Sequence, residues 1–180
     1  MKTRALSFTL NGKAIGPLDV PEGFSLLDVL NEMLGSTGTR MACGRGICRA
    51  CSVIVDREDG TSATLPACIT SAHGMAGQRV RTVEAHAARD ADGSVSELSP
   101  VQRAFLDHYS FQCGYCTPGF VNEATVLLER LARSPIPRSS VEATVLSALD
   151  THLCRCTGYV RYHEAVRDLI LATPGLTKPD

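Results

Sequence analysis

Three cysteines fall within residues 43–51, "CGRGICRAC", with two glycines and two arginines among them. A disulfide needs its Cα atoms at a fixed separation with converging Cβ vectors, so three close thiols pair poorly with one another. A metal centre is the simpler reading. Cys43, Cys48 and Cys51 stand at C-x4-C-x2-C, and Cys68 follows a strand-like segment; this is the ligand spacing of a plant-type [2Fe-2S] cluster. Such an anionic centre needs four thiolates and backbone N–H groups aimed at its sulfurs. Gly44 and Gly46 let the backbone approach that closely. Structural zinc is the competing reading, but four-cysteine zinc sites come as two short knuckles, and here one crowded loop carries three thiols.

A second set comprises Cys113-x2-Cys116 and Cys154-x-Cys156. Its spacing alone suits zinc and an iron–sulfur cluster equally. Its place at helix starts adds a hint, because the positive end of a helix favours an anion. A CxxC redox dithiol is a third reading that lacks its βαβ context.

The elements that must carry these cysteines change character along the chain. Leu6, Phe8 and Leu10 alternate onto one strand face, and "NGK" at 11–13 marks a hairpin into residues 14–20. Ser25 with Asp28 resembles a capping box and opens an apolar helix that Gly35 ends. Residues 51–56 and 79–84 read as further strands. Residues 85–98 are small and polar with little periodicity and read as a linker, with a domain boundary near Ala85. Helices are expected beyond it over 100–109, 118–132, 140–149 and about 160–171. Their start signals are Ser99-Pro100 with Gln102, Thr117-Pro118, and Ser139 with Glu142. "CTPGFVNEATVLL" from Cys116 echoes "CTGYVRYHEAVRDLI" from Cys156, which suggests two helix pairs about a pseudo-twofold axis.

With 180 residues and 44% hydrophobic composition the chain can bury one core or two small ones. Its 18 basic and 19 acidic residues leave a net charge of −1, so no overall field draws it to nucleic acid or an anionic membrane. No stretch approaches the roughly 20 apolar residues of a membrane span, and the N-terminus carries no secretory or twin-arginine signal. An intracellular chain is expected, and cysteines there are ligands more often than disulfides. No nucleophile with its base, no phosphate loop and no dinucleotide fingerprint is present, so the chain by itself is expected not to be catalytic.

"CGRGICRAC", "FQCGYCTPGF" and "LCRCTGY" together resemble the iron–sulfur subunit or domain of the xanthine oxidase family of molybdenum hydroxylases, over about residues 4–170. The resemblance implies an α+β chain: an N-terminal plant-ferredoxin-like β-grasp domain (1–85), a linker (86–98) and an all-α four-helix domain (99–180). It implies one [2Fe-2S] cluster on Cys43, Cys48, Cys51 and Cys68, and a second on Cys113, Cys116, Cys154 and Cys156. It also places Gln112 and Cys156 near the molybdopterin, in its cytosine dinucleotide form, of a large partner subunit.

The implied function is electron transfer from that centre through both clusters to a flavoprotein, a cytochrome or another acceptor, in a complex oxidising aldehydes, purines or N-heterocycles. A free-standing ferredoxin and a zinc-stabilised interaction module are the alternatives. A cytoplasmic complex is expected, with periplasmic export alongside a signal-bearing partner as the other option. The chain departs from the family pattern at Ala42, Ile47 and Arg49, where glycine is usual, and at Arg45, where an acid is usual. Thr151-His152 replaces a glycine-asparagine pair. Of the histidines at 73, 86, 108, 152 and 163, His152 is singled out because it stands so close to Cys154.

Overall fold

The computed structural model describes residues 2–180. Strands β1 (Thr3–Leu10) and β2 (Lys13–Pro21) form an antiparallel hairpin. Its turn is built by Asn11 and Gly12, both at positive φ (50° and 80°), the pairing that a tight hairpin of right-handed twist requires. A short helix α1 (Leu26–Asp28) follows and widens at once into a π-helical stretch, Val29–Met33. Ser25 and Asp28 cap it reciprocally, as the sequence suggests. Strands β3 (Ser52–Asp56), β4 (Ser62–Pro66) and β5 (Arg79–Arg81) complete a sheet of order β2-β1-β5-β3-β4, in which only β1 and β5 run parallel. The inward side chains of Leu6, Phe8, Leu10, Val53 and Val80 pack on Leu26, Leu27 and Leu30. Strand β4 is the element that alternation in the sequence does not single out.

Residues 86–98, expected to be an irregular linker, contain a two-stranded hairpin, β6 (Ala88–Arg89) and β7 (Val95–Glu97). Four helices follow: α2 (Pro100–Asp107), α3 (Thr117–Arg133), α4 (Val141–Leu149) and α5 (Val160–Ala172). Helices α2 and α4 each pack on α3 and α5, which also touch each other. Two-residue strands β8 (Ile136–Pro137) and β9 (Thr177–Lys178) tie the chain end back beside the proline-containing break. Phe120 stacks on Tyr162 at 4.1 Å and Phe105 meets the same ring edge-on at 5.0 Å, so one tyrosine knits three helices together.

The capping signals divide. Ser99 and Gln102 form the expected box with Pro100 in the first turn. Thr117 is not a cap: Cys116 occupies that position and the Thr117 hydroxyl bonds Tyr162 at 2.7 Å. Ser139 instead bonds the Asp180 carboxylate, and a 3-10 turn (Arg138–Ser140) leads into α4. The echoed cysteine motifs also diverge in backbone. Cys116 touches the first turn of α3, whereas Gly158 and Tyr159, both at positive φ, intervene between Cys156 and α5.

Helix α3 joins the two halves by lying across β3 and β4. Arg81 forks onto Asp56 at 2.7 Å and reaches Glu129 of α3 at 2.8 Å. Near the other end, Gly119 faces the Arg49 carbonyl so closely that a Cβ there would overlap the backbone oxygen. Gly119→Ala therefore sets a helix-propensity gain of about 1 kcal/mol against an overpacking cost of roughly 1–3 kcal/mol with a backbone partner that cannot rotate away. Net destabilisation, read as a lower thermal midpoint, is the expected outcome; an alanine variant as stable as the parent would refute the close approach.

Candidate metal centres

All eight cysteines are free thiols, and they gather in two groups. In the first, the loop after the π-helical stretch turns through Gly44, Gly46 and Arg49, each at positive φ (64°, 71° and 60°). That winding turns backbone N–H groups inward: those of Arg45 and Cys48 donate to Cys43 Sγ at 3.3 and 3.4 Å. These donors, Cys48 first, draw the Cys43 thiol down to about 6. Cys51 lies buried under the sheet, and loss of solvent pushes its thiol up to about 12, with Cys68 beside it. Of the three positions where glycine is usual, only Arg49 has the left-handed backbone that favours glycine.

The second group is assembled from two loops. Cys113 and Cys156 are exposed with their sulfurs 3.3 Å apart, while Cys116 and Cys154 are buried behind them. Burial pushes Cys116 up to about 12, and the Tyr162 hydroxyl stands 3.8 Å from its sulfur. Burial also opposes ionisation of Cys154, but the Thr157 hydroxyl at 3.1 Å and nearby N–H groups outweigh it and bring that thiol down. The backbone N–H of Tyr115, and the Cys156 thiol after it, lower Cys113. Gln112 is exposed next to Cys113, on the same open edge as Cys156.

The donor chemistry fits iron–sulfur clusters. Among the described residues no three His, Cys, Asp or Glu side chains converge as ligands of a single ion. The thiols stand in neighbouring pairs, Cys43 with Cys48, Cys51 with Cys68, Cys113 with Cys156, and Cys116 with Cys154. Two thiolates per iron is what a two-iron centre uses. Buried thiols that resist ionisation in the protein alone are ones a bound metal would deprotonate.

His152 sits between the groups, almost fully buried, its ring 5.0 Å from Phe120 and its Nε2 without a partner. Burial, and secondarily the Arg49 cation, hold it down to about 4. None of the five histidines joins a metal-binding group among the described residues. Sequence reading passed over Asn122 and Gly119, which carry no metal-ligating chemistry and whose importance rests on what lies across from them.

Because the unfolded imidazole titrates near 6.5 and the folded one near 4, the unfolded chain binds the extra proton between those values. The stabilising effect of the neutral ring is complete above 6.5 and is lost as pH falls toward 4. From pH 7 to pH 5 this amounts to roughly 2 kcal/mol. Denaturant titrations of the parent and His152→Gln at those two pH values check it: the slope with pH should flatten in the variant, and an equal slope in both would refute the assignment.

Comparison with known proteins agrees with this geometry. Residues 8–73 match the family described as "2Fe-2S iron-sulfur cluster binding domain" and residues 82–167 the "[2Fe-2S] binding domain". The chain is 40% identical over 144 residues to the nicotine 6-hydroxylase small subunit of Paenarthrobacter nicotinovorans, covering 80% of this chain and 76% of that one. It is 35% identical over 161 residues to the isoquinoline 1-oxidoreductase subunit alpha of Brevundimonas diminuta, covering 89% and 94%. The crystal structure of quinoline 2-oxidoreductase from Pseudomonas putida 86 superposes with a TM-score of 0.77 at 30% identity, over 98% of this chain and 94% of that chain. Two successive cluster-binding domains, shared along nearly the whole chain with small subunits of this kind, place the protein: it belongs to the iron–sulfur subunits of the xanthine oxidase family of molybdenum hydroxylases.

Proposed function

We propose that Cys43, Cys48, Cys51 and Cys68 hold one [2Fe-2S] cluster, and that Cys113, Cys116, Cys154 and Cys156 hold the other. The first belongs to a β-grasp domain, residues 1–85, and the second to a four-helix domain, residues 99–180, with 86–98 between them. Each cluster, when bound, takes up and releases one electron at a time. The chain then serves as the electron-transfer subunit of an oxidoreductase complex.

The observation that carries this reading is the bond between the two cysteine loops. The Leu153 N–H, next to Cys154, donates to the Cys48 carbonyl at 3.1 Å. The two thiol groups are thereby joined through backbone and one hydrogen bond. Gln112, Cys113 and Cys156 form an open edge that suits the molybdopterin, in its cytosine dinucleotide form, of a large partner subunit. Around the Cys43 loop Met41, Ile47 and Ile69 expose apolar surface, which suits docking of a flavoprotein or cytochrome acceptor. Electrons would pass from the Cys113 group to the Cys43 group and out. The heterocyclic substrates in the relatives' names favour an N-heterocycle as the compound hydroxylated by the partner. Among the described residues no helix is long and apolar enough to cross a membrane. We place the complex in the cytoplasm, with export beside a signal-bearing partner as the alternative.

The native complex should contain about four iron and four acid-labile sulfide per copy of this chain. Zinc without sulfide would overturn the assignment in favour of a structural module. Cys113→Ser should block electron exit from molybdenum, and Cys48→Ser should block only delivery to the external acceptor. Filling of the Cys43-group cluster by substrate when the other is missing would reverse the order.

Arg49 gives a separate check. Its cation favours the more negative, reduced cluster, so Arg49→Gly should lower the potential of the Cys43-group cluster, with little change at the other, in a redox titration. The same change relaxes a left-handed backbone position worth about 1 kcal/mol. An unchanged potential would remove Arg49 from cluster tuning.

A further inference from the structure

Asn122 lies in the second turn of α3 and is almost fully buried, facing the sheet and not solvent. Its Nδ2 donates to the Ser52 carbonyl at 2.6 Å, and its Oδ1 meets His86 Nε2 at 2.7 Å. The Ser52 carbonyl needs this donor for a topological reason. Strand β3 pairs with β5 antiparallel, Ile54 opposite Arg81, so Ser52 would stand opposite Val83 if the ladder continued. It does not continue, because Val83 begins a 3-10 turn. On its other side Ser52 stands opposite Pro66 in a non-hydrogen-bonded pair, the ladder bond there running from the Ala67 N–H to the Cys51 carbonyl, so the Ser52 carbonyl is turned away from β4. A helix side chain from the other half thus replaces the missing strand donor, at the residue next to Cys51.

Three segments meet at this one amide: the start of β3 beside Cys51, the connection after β5 through His86, and the second turn of α3, the helix that Cys116 begins. Glu129, seven residues on, occupies the same helix face and takes Arg81 at the far end of the seam. That second fastening is partly exposed, as are the Glu123–Thr64 and Tyr115–Met41 bonds, and water competes for all of them. The Asn122–Ser52 bond is buried and the His86 bond half-buried, so breaking the pair leaves the Ser52 carbonyl without a partner inside the protein.

We propose that Asn122, held by His86, is a positioning residue that fixes the first cysteine group relative to the second and so sets the separation of the two centres. This rests on the two-cluster reading above, and its consequence is specific. Loss of the amide should leave each centre chemically intact while changing the distance and orientation between them.

The test uses the purified complex carrying the full chain, with Asn122→Leu, which removes both bonds, and Asn122→Asp, which keeps the acceptor for His86 but loses the donor to Ser52. Iron and sulfide content, and the spectrum of each singly reduced centre, should match the parent. The magnetic dipolar splitting between the two reduced centres, which varies with the inverse cube of their distance, should shift in both variants. The Leu153 amide, which bridges the loops, should exchange with deuterium on the order of tenfold faster. Unchanged splitting together with unchanged exchange in fully loaded variants would overturn the proposal. If neither Asn122 variant folds, His86→Phe, which frees the amide but leaves its bond to Ser52, should still accelerate Leu153 exchange, and parent-like exchange there would overturn it equally. Absence of iron and sulfide from the parent complex would sink the cluster reading alone, since the exchange measurement judges Asn122 without any metal.

Discussion

The Arg49 carbonyl presses on Gly119 of α3, and most of the molecule is arranged around that backbone-on-backbone approach. A helix can come so near a loop only where it has no Cβ, and the loop can present its carbonyl there only because Arg49 adopts a left-handed conformation. The consequence is that the loop holding Cys43, Cys48 and Cys51 lies flat on the start of the helix that Cys116 begins. Both thiol groups are then neighbours of one seam. The bonds of Leu153 to Cys48, Tyr115 to Met41 and Asn122 to Ser52 all run across it.

Charge follows the same geometry. The chain is nearly neutral overall, yet no Asp or Glu occurs between Glu32 and Asp56, or from residue 109 to residue 122. Asp56 and Glu129 stand instead around Arg81. Burial disfavours that guanidinium, but the two carboxylates outweigh it and hold the cation. Between Glu32 and Asp56 the only charged residues are Arg40, Arg45 and Arg49, and an anionic cluster on that loop gains from this, since an added carboxylate would raise the cost of every electron taken up. His152, buried, and His86, half-buried, lie close to arginines; lost solvation first, and the arginines after it, favour the neutral ring, so both fill space without adding charge.

The two cores differ in how they support the thiols. The sheet half buries Cys51 against its own strands, so that ligand belongs to the core itself. The helical half buries Cys116 and Cys154 behind Tyr162, whose hydroxyl bonds Thr117 and lies close to the Cys116 sulfur. In each half one pair of thiols is anchored deep, while Cys43, Cys113 and Cys156 reach the surface. Such a division lets a centre be held rigidly and still face a partner.

Local pattern in the sequence determined a good deal. The cysteine spacings, the Asn11-Gly12 turn, the capping boxes at Ser25 and Ser99, and the bounds of α3 and α4 to within a residue or two follow from neighbours within a few positions. Tertiary structure alone decided the rest. Ser139 had a local partner in Glu142 yet bonds Asp180, and Thr117 left its capping role for Tyr162. Asn122 and Glu129 carry no signal in the sequence, yet they face a sheet whose last ladder donor is missing. A polar residue at helical spacing shows which face it shares and never what lies opposite. That is set by where a strand ends and which loop lies across the helix, contacts some 70 residues apart in the chain, and no periodicity of a few residues carries that information.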